Sequence, residues 1–216
     1  MKSSIIAIGA AVLLLCGAVT AQPATSQSPA KVVTYLFEIF HGKDALVQAF
    51  LRQTSSEPEL RDIVQRASAS FDIEALAAQF AKPLSHALSP HETEQCLAFI
   101  ESKGGAALLS ASQRAASAKE LPQHLDLLPP QEQRAVLAFF DSSCFKKTIA
   151  FMGSQEARQI SRNYGKSLMC SYAERTSAEM VGVLRSHGEC QELSAGWPNQ
   201  LRPNNSFKPK PLRGSA

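Results

Sequence analysis

None of the short motifs that mark catalysis or nucleotide binding occurs in this sequence. There is no G-x-S-x-G elbow, no G-x-G-x-x-G, no P-loop and no H-E-x-x-H. No two of the five cysteines form C-x-x-C, which leaves a thioredoxin-like redox role without support. Strand-like alternation is largely absent, so a sheet is not expected. Beyond the opening segment, no run is long and apolar enough for a membrane span, which takes roughly 20 residues. Acid is missing at the far end, where Arg202, Lys208, Lys210 and Arg213 carry positive charge with no counterpart.

That last gap explains the charge of the whole chain, +3. Setting aside the four tail cations and Lys2 leaves 17 of the 22 basic residues against 19 acids, a net of −2. The body is close to neutral, and its basicity is no argument for nucleic-acid binding. Arg134, Lys146, Lys147 and Arg158 are interleaved with acids and lack the aromatic pattern of a base-stacking surface. Residues 198–216, with Pro203, Pro209 and Pro211, are expected to form a disordered basic tail.

The first residues have the layout of a cleaved export signal: Lys2, an uncharged apolar stretch from Ile5 to Val19, then Val19-Thr20-Ala21 before a polar run. Cleavage after Ala21 removes residues 1–21, and residues 22–30 read as a flexible linker. This places the mature protein in the periplasm or outside the cell. Two alternatives are an uncleaved anchor and a lipoprotein acylated at Cys16, although Leu15 stands where the lipid-attachment signal prefers a small residue.

Four cysteines then remain, Cys96, Cys144, Cys170 and Cys190, and an exported chain can pair them in three ways. Cys170 and Cys190, close in sequence, are the favoured pair. Cys96 sits in an apolar run and reads equally well as a buried free thiol. His187 and Cys190 form H-x-x-C, with Cys170 upstream, but a structural zinc site needs four ligands at recognisable spacing. Neither metal nor cofactor is expected.

Apolar spacing predicts helices through residues 32–40 and 45–51, with Gly42 as the break between them. Pro58 suits the first turn of the next helix, ahead of Leu60, Ile63 and Val64. Asp72 is a candidate cap for a helix to Phe80. Residues 145–152, a helix started by Ser154 or Ser161, and a capped one from Thr176 to Leu184 follow. Proline is expected at helix starts rather than inside helices.

Residues 88–102 and 128–142 read alike at a constant offset of 40. Each opens with proline (Pro90, Pro130), carries an apolar stripe ending Phe99-Ile100 or Phe139-Phe140, and closes on an acid followed directly by serine, Glu101-Ser102 or Asp141-Ser142. Ser89 and Glu92 make a capping box in the first copy. Pro129 replaces the serine in the second, so that cap is lost. Gly104-Gly105 suits a helix end or a tight crossing. Two copies are too few for a solenoid. The expected fold is therefore all-α: a small helical bundle over residues 31–197 containing two related helix-hairpin segments. An apolar groove between facing hairpins, or simply core, would be built from Phe99, Ile100, Phe139, Phe140 and Phe145.

The stretch Glu92 to Gly105 also resembles the hallmark helix of an uncharacterised family of small exported helical bacterial proteins, domain-of-unknown-function family 2059. The family pattern is acidic-x-x-x-leucine-x-x-phenylalanine-aromatic-x-serine-x-x-glycine. Phe99, Ser102 and Gly105 occupy their places, while Cys96 stands for the leucine and Ile100 for the aromatic residue. The second copy restores the aromatic with Phe139-Phe140, keeps Ser142, and offers Val136 and Phe145 for leucine and glycine. The likeness runs from about Val32 to Met180 and implies export and helicity, with no established activity.

The expected role is a non-enzymatic periplasmic binding or accessory protein of the cell envelope, engaging an envelope protein, a peptide or a small apolar ligand. The alternatives are an envelope hydrolase with a His, Glu and Ser or Cys site, and a purely structural protein.

Overall fold

The computed structural model describes residues 27–54 and 56–190. The export signal with Cys16, most of the linker, Trp197 and the basic tail lie outside them. Eleven α-helices and no strand are found among the described residues: α1 (Gln27–Ile39), α2 (Gly42–Gln53), α3 (Pro58–Ala67), α4 (Ile73–Ala87), α5 (Pro90–Ile100), α6 (Lys103–Arg114), α7 (Leu121–Leu125), α8 (Pro130–Asp141), α9 (Ser143–Met152), α10 (Gln155–Thr176) and α11 (Ala178–Ser186). A single 3-10 turn, Ser68–Ser70, follows α3. The chain is an all-α bundle.

Its helix starts follow side-chain chemistry. Asp72 accepts from the Glu74 and Ala75 amides at 2.9 and 3.0 Å. Ser154 caps α10 through Ala157 N, and Ser177 caps α11 through Glu179 N. Each acceptor satisfies an amide that has no partner within its helix. Ser161, the other candidate start of α10, lies inside that helix and donates back to the Ala157 carbonyl. Three expectations need correction. Residues 27–30, read as the end of a flexible linker, open α1, and Ala30 packs against the core shared with α4. Pro83 lies inside α4, which runs past Phe80 to Ala87, with Phe80 and Leu84 fully buried on either side of it. The break after α1 is made by His41, whose φ of 51° is left-handed. Gly42 contributes through space instead: a Cβ there would lie 2.5 Å from the Phe37 ring.

The central helix is α1. One face, with Val33 and Phe37, packs into a core shared with Leu76, Phe80 and Leu84 of α4 and with Tyr164 of α10. Its other face, with Val32, Tyr35, Leu36 and Ile39, joins Cys96, Leu108, Val136, Phe139 and Cys144. A third, smaller core gathers Leu60 and Ile63 of α3 with Ala173 and Leu184 around Cys170.

The two sequence repeats form two helical hairpins, α5-α6 and α8-α9. Ser102 and Ser142 stand at their corners and make the same bonds. Each hydroxyl donates to the carbonyl three residues back, Phe99 at 2.7 Å and Phe139 at 2.6 Å. Each oxygen then accepts an amide three residues ahead, from Gly105 and Phe145, at 3.2 Å. The first helix of each hairpin packs on the second helix of the other, α5 on α9 and α6 on α8. The equivalent rings of Phe99 and Phe139 stack face to face, with centroids 3.9 Å apart and planes 5° from parallel. Reciprocal contacts of this kind are the mark of a local pseudo-two-fold relation.

The relation accounts for the differences between the copies. Cys96 on α5 is bonded to Cys144 on α9, with Cα atoms 5.9 Å apart. The positions equivalent to these cysteines are Val136 and Gly104. Here close packing replaces the bond: a Cβ on Gly104 would lie 2.9 Å from that of Ala135. The carboxylate of Glu92 completes its capping box by accepting Ser89 N at 2.9 Å, and also pairs with Lys147 of α9 at 2.7 Å. Its counterpart Glu132 faces Pro129, which has no N–H, and its Oε2 is buried without a hydrogen-bond partner among the described residues.

The Lys147 ammonium and then the Ser89 amide hold the Glu92 carboxyl down at about 2, from an ordinary 4.5. A group with a depressed folded pKa contributes stability that is fully present above its unfolded value and is lost as pH falls through the folded one. Acid unfolding of the chain is therefore expected to carry a Glu92 component between about pH 4.5 and pH 2. In Glu92→Gln, denaturant midpoints measured across that window should depend less steeply on pH. An unchanged slope would remove Glu92 from the acid response.

Candidate functional site

The five residues expected to line a groove or form core converge on the seam between the hairpins. Phe139 is buried at the centre, between Phe99 and the ring of Phe145, whose centroid is 5.2 Å away. Phe99, Ile100, Phe140 and Phe145 are half-buried around it. Phe140 and Phe145 come within 4.9 Å of each other, and Phe145 also reaches Phe40 of α1 at 6.3 Å.

From this seam an apolar strip runs onto the outer surface of the second hairpin. Leu137 lies one helical turn before Phe140 on α8, and Ile149 lies one turn after Phe145 on α9, spacings that place each pair on one helix face. The Phe140–Phe145 contact joins the two halves. Both ends of the strip are open to solvent, Leu137 by 55% and Ile149 by 41%. An exposed apolar strip of this kind is a candidate contact surface. Leu127, in the turn before α8, is also exposed. Sequence periodicity had pointed to the phenylalanines. Leu137 and Ile149 escaped it because their exposure depends on how the helices pack against one another.

Two depressions lie elsewhere. One, of about 540 Å³, separates α2 from α3 and is lined by Val47, Leu51, Arg52 and Arg61. The other, of about 240 Å³, has Phe50, Leu60, Val64 and Met169 as its apolar part. Polar side chains complete its lining: His187 Nδ1 lies 2.9 Å from a Glu57 carboxylate oxygen, and Lys166 pairs with Glu189 at 2.9 Å. Beside it, Cys190 is bonded to Cys170, as the sequence spacing favoured, with Cα atoms 5.7 Å apart. The H-x-x-C pair therefore has its sulfur in a disulfide and its imidazole on a carboxylate. No cluster of three or more metal-ligating side chains occurs among the described residues. None of the helices among them is long and apolar enough to cross a membrane.

Compared with protein-family models, with curated proteins and with solved structures, the chain gave no match.

Proposed function

We propose that this chain is a non-enzymatic binding or accessory protein of the bacterial cell envelope, exported by its first 21 residues. It engages its partner through the outer face of the second hairpin. The observation that carries this reading is the strip from Leu137 through Phe140 and Phe145 to Ile149, apolar, continuous and open at both ends. A solvent-open strip suits a protein or peptide surface better than a small ligand, which favours a concave pocket. Both disulfides fit an oxidising compartment, and the Glu92 to Gly105 motif fits the exported family it resembles.

The test is photo-crosslinking in intact cells, with the reactive residue placed at Leu137 or Ile149 and, as control, at the exposed Ala78 of α4. Adducts in the periplasmic fraction from positions 137 and 149, and none from 78, are the expected result. Equal labelling at all three, or none at any, rejects binding through this face.

A further inference from the structure

The cleft between α2 and α3 is set by how each helix is turned. On α2, Phe50 lies so close over Gly165 of α10 that no Cβ would fit there, and Leu46 packs against the core of α1 and α4. These contacts fix the rotation of α2. Val47 with Leu51, and Gln48 with Arg52, are then i,i+4 pairs on the flank beside the packed face. On α3, Leu60 and Val64 are buried, and the residues that follow them, Arg61 and Gln65, form another exposed i,i+4 pair. The turn between the helices is held by the Glu57 amide, which donates to the Thr54 carbonyl at 3.0 Å. The six flank side chains line a depression of about 540 Å³, inside the roughly 300–1,000 Å³ typical of ligand pockets.

Its chemistry is one-sided. Each helix contributes a guanidinium and a carboxamide, and Val47 and Leu51 supply the apolar part. Among the described residues no carboxylate lines the cleft, and neither Arg52 nor Arg61 is in an ion pair. The acids of both helices are turned or spaced away. Glu57 meets His187, and Asp62 pairs with Arg66 about 100° further round α3. Glu59, two residues before Arg61, does not share its face. Asp44 is on the cleft side of α2 but about 12 Å of helix before Arg52. The cleft thus holds two cations for an anion to neutralise.

Geometry chooses among anions. A guanidinium is a planar fork that matches two oxygens, and here a fork comes from each helix. A carboxylate presents both its oxygens on one side. A phosphomonoester spreads three oxygens around phosphorus and carries about −1.5 to −2 at pH 7, so it meets both forks and matches their charge. Its ester group is left for the aliphatic side chains.

We propose that the α2–α3 cleft binds a phosphomonoester of an apolar alcohol. Arg52 and Arg61 take the phosphate oxygens, Gln48 and Gln65 donate amide N–H bonds to them, and Val47 and Leu51 meet the apolar group. The site is on other helices than the Leu137–Ile149 strip and stands independently of it. Two sources present this chemistry, a soluble phosphate ester and the headgroup of an anionic lipid.

The test is calorimetric titration of the purified, disulfide-bonded chain with hexyl phosphate, against heptanoate at matched ionic strength. Saturable 1:1 binding of hexyl phosphate is expected. Arg52→Gln and Arg61→Gln should each weaken it about tenfold, the scale of one charge-assisted hydrogen bond. Arg134→Gln removes the same charge from α8 and should leave binding unchanged. All three arginines are exposed, so the variants keep their cores, and unchanged melting curves confirm it. Co-sedimentation with phosphatidylcholine vesicles containing phosphatidic acid then separates the sources. Pelleting that both cleft variants abolish makes this a headgroup site. No pelleting, or pelleting that they leave intact, makes the ligand a soluble ester. No saturable binding of hexyl phosphate, heptanoate binding as tight, indifference to either cleft arginine, or an equal loss in Arg134→Gln overturns the proposal.

Discussion

Replacing Cys96 and Cys144 together by alanine is expected to lower the unfolding free energy by roughly 4 kcal/mol, the chain-entropy value for a closed loop of this length. The loop spans 48 residues, against 20 for Cys170–Cys190, whose removal should cost roughly 3 kcal/mol. Position enlarges the difference. Cys96 and Cys144 are buried at the reciprocal crossing of α5 and α9, inside the largest core. The second bond closes the end of α10 over α11, in a core of few residues. Loss of the first therefore loosens one hairpin from the other, while loss of the second frees chiefly α11. For a chain of this size the first change corresponds to a melting shift of roughly 8–16 °C. Thermal and urea unfolding followed by circular dichroism measure both. A Cys96/Cys144 variant that unfolds no earlier than the Cys170/Cys190 variant would show that the crossing does not hold the hairpins together.

Local chemistry made much of the fold legible. A cap needs only a short polar side chain ahead of an apolar run, so Asp72, Ser89 with Glu92, Ser154 and Ser177 could be read one helix at a time. The repeat could be read because its two copies keep one spacing and one corner serine. What could not be read depends on contacts between distant segments. The Cys96–Cys144 bond follows from the reciprocal packing of the hairpins, which no single segment encodes. Helix α6 opens with two glycines, poor helix formers that mask the Leu108, Ala111 and Ser112 face behind them. Pro83 removes one helical hydrogen bond, yet α4 continues because Phe80, Ala81 and Leu84 are anchored in the core on both sides. The outer strip depended on knowing which sides of α8 and α9 the other described helices leave exposed.

Phe139→Ala is expected to be the most damaging single substitution in the hairpin pair, at about 3–5 kcal/mol, the range for emptying a buried phenylalanine site. That is a large share of a domain's usual 5–15 kcal/mol. The ring is 5% exposed and lies beside the pseudo-two-fold axis, stacked on Phe99 and flanked by Phe145 and Phe140. The surrounding helices cannot collapse into the space, because the Cys96–Cys144 bond and the Glu92–Lys147 pair fix α5 against α9. Phe140→Ala, on a half-buried ring, should cost distinctly less. Phe99→Ala removes the other half of the stack, so the double variant should be less harmful than the two single effects added. The shortfall should be about 0.5–1.5 kcal/mol, the coupling typical of an aromatic pair. Urea unfolding of the four proteins gives the cycle. Strict additivity would mean that the two rings merely fill space side by side. A small effect at Phe139 with a lost partner crosslink at Leu137 would return this ring from the core to the binding surface, and with it the boundary between what holds the hairpins together and what they offer outward.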